Sequence, residues 1–166
     1  MHLDIWIDGA SRGNPGPGAC AVVVKEPGGK VRQERRLFLG VVTNNVAEYI
    51  SLLLALQEAK SFGARTVSVK SDSELLVRQI NGQYRVKSPT LRVLHRRALQ
   101  LLSEFSNVEV THIRRQENLD ADNLVNQELD KFCRLEQARW PLRRPSGENR
   151  SGCGEESPGS EGQGGR

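Results

Sequence analysis

The chain has 166 residues, of which 37% are hydrophobic and 27% charged, the size and make-up of one globular domain. Apolar stretches such as residues 52–56 are far too short to span a bilayer, and residues 1–8 lack the basic and apolar regions of a secretory signal. The expected setting is therefore the cytoplasm, and the net charge of +4 admits a nucleic-acid partner without establishing one.

The first eight residues alternate: Leu3, Ile5 and Ile7 are apolar, Asp4 and Asp8 polar, which predicts a period-two strand. Residues 9–17 carry Gly, Pro, Asn and Ser and read as a turn region. Residues 19–25 are rich in β-branched side chains, Pro27, Gly28 and Gly29 mark a hairpin turn, and 31–39 form the returning strand. A long helix is expected over 46–62, with Gly63 as its stop and Ala47, Ile50, Leu53, Leu54 and Leu56 on its apolar face. A short strand follows over 66–71, then a helix over 73–80 capped by Gly82. Ser88-Pro89 has the N-cap and first-turn chemistry of another helix, expected to reach 105. Residues 108–113 read as a fifth strand, and Asn118 or Asp120 starts a last helix.

The order βββαβααβα implies an α/β fold, one mixed sheet with helices packed on it. The folded domain is expected over 1–133. Residues 134–145, with four Arg around Trp140, read as a basic linker or a helix end. Residues 146–166 hold seven Gly and no large apolar side chain, so this tail is expected to be disordered.

Chemistry is suggested by four acids at element ends. Asp8 and Asp72 close strands one and four; Glu48 and Asp122 lie near the starts of the long and the last helix. Sites in open α/β sheets form outside the carboxyl ends of strands, so these acids could converge if strands one and four are neighbours. Four crowded carboxylates repel one another, and divalent cations would relieve that repulsion. A pair of cations about 3.5–4 Å apart clamps the attacking and leaving oxygens of a phosphoryl displacement. The alternative is that helix-start acids merely complement the macrodipole. The three Cys and three His show no zinc-like spacing, so any metal would be a hard cation on oxygen ligands, Mg²⁺ or Mn²⁺.

The sequence around these acids resembles the ribonuclease H type 1 family. The segments that carry the likeness are Asp8-Gly9-Ala10-Ser11-Arg12-Gly13-Asn14-Pro15-Gly16-Pro17-Gly18, Thr43-Asn44-Asn45-Val46-Ala47-Glu48-Tyr49, Ser71-Asp72-Ser73 with Gln79, Gly82 and Tyr84-Arg85-Val86-Lys87, and the run from Arg115 to Asp122. They fall in family order and span residues 3–132. The resemblance implies a ribonuclease H-like fold with a five-stranded mixed sheet in the order 3-2-1-4-5. It implies that Asp8, Glu48, Asp72 and Asp122 hold two Mg²⁺ or Mn²⁺ ions, Asp8 touching both. It further implies cleavage of the RNA strand of RNA–DNA hybrids by a monomer that leaves 5′-phosphate and 3′-hydroxyl ends.

Thr43, Asn44 and Asn45 precede a helix and could read a phosphate or a base edge, although one Asn could instead cap the helix. Asn14 sits among glycines that permit close approach to a sugar or simply make a turn. The basic, aromatic-bearing insertion that some members carry after strand four is missing. A module that binds nucleic acid without efficient cleavage is the alternative function, and an exonuclease or integrase on the same fold is a third. Retention of all four acids argues against the binding module. His112, ten residues before Asp122, invites a role in catalysis, but period two places it on a strand with Val108 and Val110, which favours a structural role.

Overall fold

A computed structural model of the chain describes residues 1–139. Ten elements follow in order: β1 (His2–Ser11), β2 (Gly16–Lys25), β3 (Val31–Val42), α1 (Asn44–Ser61), β4 (Thr66–Ser71), α2 (Glu74–Ile80), α3 (Pro89–Leu102), β5 (Asn107–His112), a short 3₁₀ turn (Arg115–Glu117) and α4 (Leu119–Arg139). They form one five-stranded sheet in the order β3-β2-β1-β4-β5. β1, β2 and β3 make an antiparallel meander, whereas β4 joins β1, and β5 joins β4, in parallel. The predicted topology and the expected sheet order are those observed.

Alternation along β1 sends Leu3, Ile5 and Ile7 to one face, all three fully buried. With Cys20, Val22, Val24, Val67, Val69 and Val110 they form the sheet's side of the main core, covered by α1, α2 and α3. On the opposite face α4 packs Val125 and Leu129 against Ala19 and Ala21 of β2, whose small side chains let the helix come close. Helix starts are set locally. The hydroxyls of Thr43, Ser73 and Ser88 accept the Val46, Leu76 and Leu91 N–H groups, satisfying donors that helix geometry orphans. Each such cap is worth about 1 kcal/mol.

Several boundaries differ from expectation. The turn expected over 9–17 shrinks to residues 12–15, because β1 pairs with β2 out to Ser11 and Gly18, and Gly16 and Pro17 pair with β3. The two strands thus carry the glycine-rich motif into the sheet. α1 begins two residues early, and its cap is Thr43 rather than an Asn. α3 stops at Leu102, short of Phe105. Of the two readings offered for 134–145, residues 134–139 follow the helix end, as the last turns of α4. The expectations for residues 140–166 lie outside the described residues. No helix among the described residues is long and apolar enough to cross a membrane.

Candidate active site

Parallel pairing of β1 with β4 sets Ile7 opposite Ser71, so Asp8 and Asp72 are side by side at one end of the sheet. Asp8 lies inside β1, opposite Ala21, and Asp72 follows the last residue of β4. Glu48 arrives from the other layer. It is the fifth residue of α1, one turn in from the N-terminus, because the helix starts at Asn44. Its approach depends on Gly9: a Cβ there would collide with the Ala47 carbonyl and press on the Glu48 N–H. Gly9 therefore lets α1 lie directly on β1.

One carboxylate oxygen from each of Asp8, Glu48 and Asp72 falls within 4.8 Å of the others. Asp8 and Glu48 are buried, at 4% and 5% exposed, and Glu48 Oε2 has no hydrogen-bond partner. Uncompensated burial disfavours the charged form. Asp8 is pushed up to about 8, first by burial and then by the charges of Asp72 and Asp122. Glu48 is driven well above the usual carboxylate range, mostly by burial and then by Asp8 and Asp72. Asp72 rises as well, chiefly by burial, with hydrogen bonding from the Asn118 side chain opposing the rise.

Asp122 stands at the edge. It lies in the first turn of α4 and outside the group of three, and its carboxylate pairs with Arg115 at 3.5 Å. It is still near enough to raise both Asp8 and Asp72 electrostatically. An orphaned buried carboxylate oxygen, three converging acids and a set of hard oxygen donors suit divalent cations.

The candidate substrate residues lie beside this cluster, where the β1–β2 turn meets the start of α1. Asn14 Oδ1 accepts the Asn44 N–H at 3.1 Å, and Asn44 Oδ1 accepts the Ser11 N–H at 3.4 Å. Both side-chain oxygens thus tie the turn to the helix. Asn14, Asn44 and Asn45 are exposed. Thr43 is spent partly on its cap. His112 ends β5 opposite Ser71 and is exposed, so it takes no part in the core, against the structural reading. Sequence reasoning missed Arg115 and Asn118 as neighbours of the acids. Both stand in the fourth motif, where an Arg and an Asn before a helix look like ordinary surface and capping residues.

The family model described as "Reverse transcriptase-like" matches residues 7–128. Ribonuclease HI of Halobacterium salinarum is 40% identical over 129 residues, covering 78% of this chain and 65% of that protein. Its crystal structure superimposes with a TM-score of 0.77 at 38% identity, covering 79% of this chain and 99% of that one. A bifunctional protein of Mycobacterium tuberculosis is 40% identical over 131 residues, 78% of this chain but only 36% of its own length. LC11-RNase H1, solved in complex with RNA/DNA hybrid, has a TM-score of 0.76 and 40% identity over 79% of this chain and 99% of that one. The chain thus spans about two thirds or less of these curated relatives. With the sheet order, the acid cluster and these matches in agreement, the chain belongs to the ribonuclease H type 1 family.

Proposed function

We propose that the protein is a metal-dependent endoribonuclease that hydrolyses the RNA strand of RNA–DNA hybrids. The observation that carries this reading is the convergence of Asp8, Glu48 and Asp72 within 4.8 Å. The hybrid bound to the related LC11 structure supports the choice of substrate.

Asp8, Glu48, Asp72 and Asp122 would together hold two Mg²⁺ or Mn²⁺ ions, Asp8 contributing to both. Bound there, such ions supply Lewis-acid stabilisation of the developing charge and a lowered pKa for water. The chain's own part is to bring the acids together and to place the RNA strand over them. Asn14 and Asn44 spend their side-chain oxygens inside the fold, which leaves their amide N–H groups as donors to the minor groove. Asn45 and the Thr43 hydroxyl complete that row. Contacts to 2′-hydroxyls across a wide minor groove would select RNA over DNA. In-line attack of water on the RNA phosphorus breaks the P–O3′ bond; water gives up a proton and the departing 3′ oxygen gains one. The products carry 5′-phosphate and 3′-hydroxyl ends.

The test is a panel of end-labelled RNA–DNA hybrid, duplex RNA and duplex DNA, each with Mg²⁺ or EDTA, followed by analysis of the product ends. Cleavage confined to the RNA of the hybrid, requiring Mg²⁺ and yielding 5′-phosphates, is expected. Tight hybrid binding with no cleavage would instead favour the binding-module alternative.

A further inference from the structure

Asn118 sits where β1, β4 and α4 meet and is 1% exposed. Its side-chain Nδ2 donates to the Ile7 carbonyl at 2.8 Å, one residue before Asp8. The same side chain lies near enough to Asp72 to hold its carboxyl down against the rise that burial imposes. Its backbone carbonyl accepts the Asp122 N–H at 3.1 Å. One residue therefore bonds both the strand that carries Asp8 and the backbone of Asp122, and lies near Asp72.

Its position just before α4 suggests an ordinary helix cap, but the hydrogen bonds argue otherwise. A capping Asn accepts a first-turn N–H with its side-chain oxygen. Here Oδ1 is buried and accepts nothing, while the amide nitrogen donates to the Ile7 carbonyl. Turning the amide over would set Oδ1 against that carbonyl, so the donor fixes its orientation. A buried acceptor without a partner costs stability. The fold retains that cost and keeps the donor on the strand that carries Asp8.

We infer that Asn118 is a positioning residue of the acidic centre: its amide, bonded to the Ile7 carbonyl, holds the start of α4 in register with Asp8 and beside Asp72, and so sets the centre's affinity for divalent cations. The inference rests on the metal-site reading above. Being buried, Asn118 offers nothing to nucleic acid, so its loss is felt in cation dependence and not in hybrid KM.

Calorimetric titration of Mn²⁺ into the metal-free parent, Asn118→Ala and Asn118→Ser tests this, with melting curves in EDTA and the Mg²⁺ dependence of hybrid cleavage. Asn118→Ala is expected to weaken Mn²⁺ binding, and to raise the Mg²⁺ needed for half-maximal cleavage, by at least about tenfold, or ~1.4 kcal/mol. Its hybrid KM at saturating Mg²⁺ stays within about twofold of the parent, a difference under ~0.5 kcal/mol. Asn118→Ser keeps one small donor and falls in between. A lowered melting temperature with parental Mn²⁺ affinity and Mg²⁺ dependence would make Asn118 purely structural and overturn the inference. Should Asn118→Ala not fold, Asn118→Ser is read by the same criteria; failure of both to fold would overturn it too. A parent that neither binds Mn²⁺ nor cleaves hybrid would sink the metal-site reading itself. A parent that does both, beside an Asn118→Ala that binds equally well, would sink only the role of Asn118.

Discussion

Asp8 carries the sharpest physical tension at the scale of single residues. Folded, it keeps its proton to about pH 8; unfolded, it releases it near 3.8. Between those values the native state binds more protons than the unfolded state, so stability falls as pH rises through the window. Glu48 and Asp72 are shifted in the same direction and add to the slope. In EDTA the melting temperature is therefore expected to drop by more than about 4 °C between pH 5 and pH 8, a change of roughly 1 kcal/mol. Asp8→Asn should flatten that dependence and melt higher than the parent at pH 8. A flat parental profile would show that the acids are not crowded. His112 is exposed at the end of β5, so His112→Ala should leave the melting temperature within about 2 °C, well under 1 kcal/mol. Turnover on a hybrid should fall by less than about tenfold, ~1.4 kcal/mol. A hundredfold fall at unchanged stability would put His112 in the reaction. Asp72, Glu48 and Asp122 were legible because each stands at a strand end or near a helix start; Asp8 was legible beside its Gly-rich turn, although β1 runs on past it to Ser11 instead of closing there. The use of Asn118 as a donor was not, since hydrogen-bond direction follows from what the fold places opposite the amide.

Among elements, the placement of α1 decides whether Glu48 joins the cluster. Gly9 is the pivot, for a side chain there would meet the Ala47 backbone. Gly9→Ala should push α1 off β1 at an overpacking cost of about 1–3 kcal/mol. It should also weaken Mg²⁺-dependent cleavage by more than tenfold, because Glu48 moves with the helix. Melting curves and Mg²⁺ titrations of this variant check both effects; parental values for each would show that the close approach is dispensable. Element identity and order were readable from period-two and helical patterns. Boundaries were less so. The Gly and Pro residues of 9–17 signalled a turn, but β2 pairs on both sides and draws Gly16, Pro17 and Gly18 into the sheet. Tertiary pairing overrode local propensity there. Helix α1 started early because Thr43, whose hydroxyl reaches the Val46 N–H, caps it ahead of both Asn.

Across the whole molecule, the acids lie up to 114 residues apart in sequence (from Asp8 to Asp122) and are brought near one another by sheet order and by the helices packed on the sheet. The parallel crossover that puts β4 beside β1 is what makes Asp8 and Asp72 neighbours. That adjacency followed from the family resemblance and not from periodicity, which leaves strand order open. A centre of converging, partly protonated acids should gain stability from the cations it binds. At a hundredfold excess over Kd, Mg²⁺ should add about 2.7 kcal/mol to the parent, and Asp8→Asn should lose most of that gain in a thermal-shift titration. The central claim is that these acids perform Mg²⁺-dependent cleavage of RNA in a hybrid. Single-turnover cleavage of an end-labelled hybrid by the parent and by Asp8→Asn, at matched folding and saturating Mg²⁺, tests it most directly. The expected result is rapid cleavage by the parent and a loss of at least a thousandfold, about 4 kcal/mol of transition-state stabilisation, in the variant. Cleavage by Asp8→Asn within about tenfold of the parent, ~1.4 kcal/mol, would contradict the account.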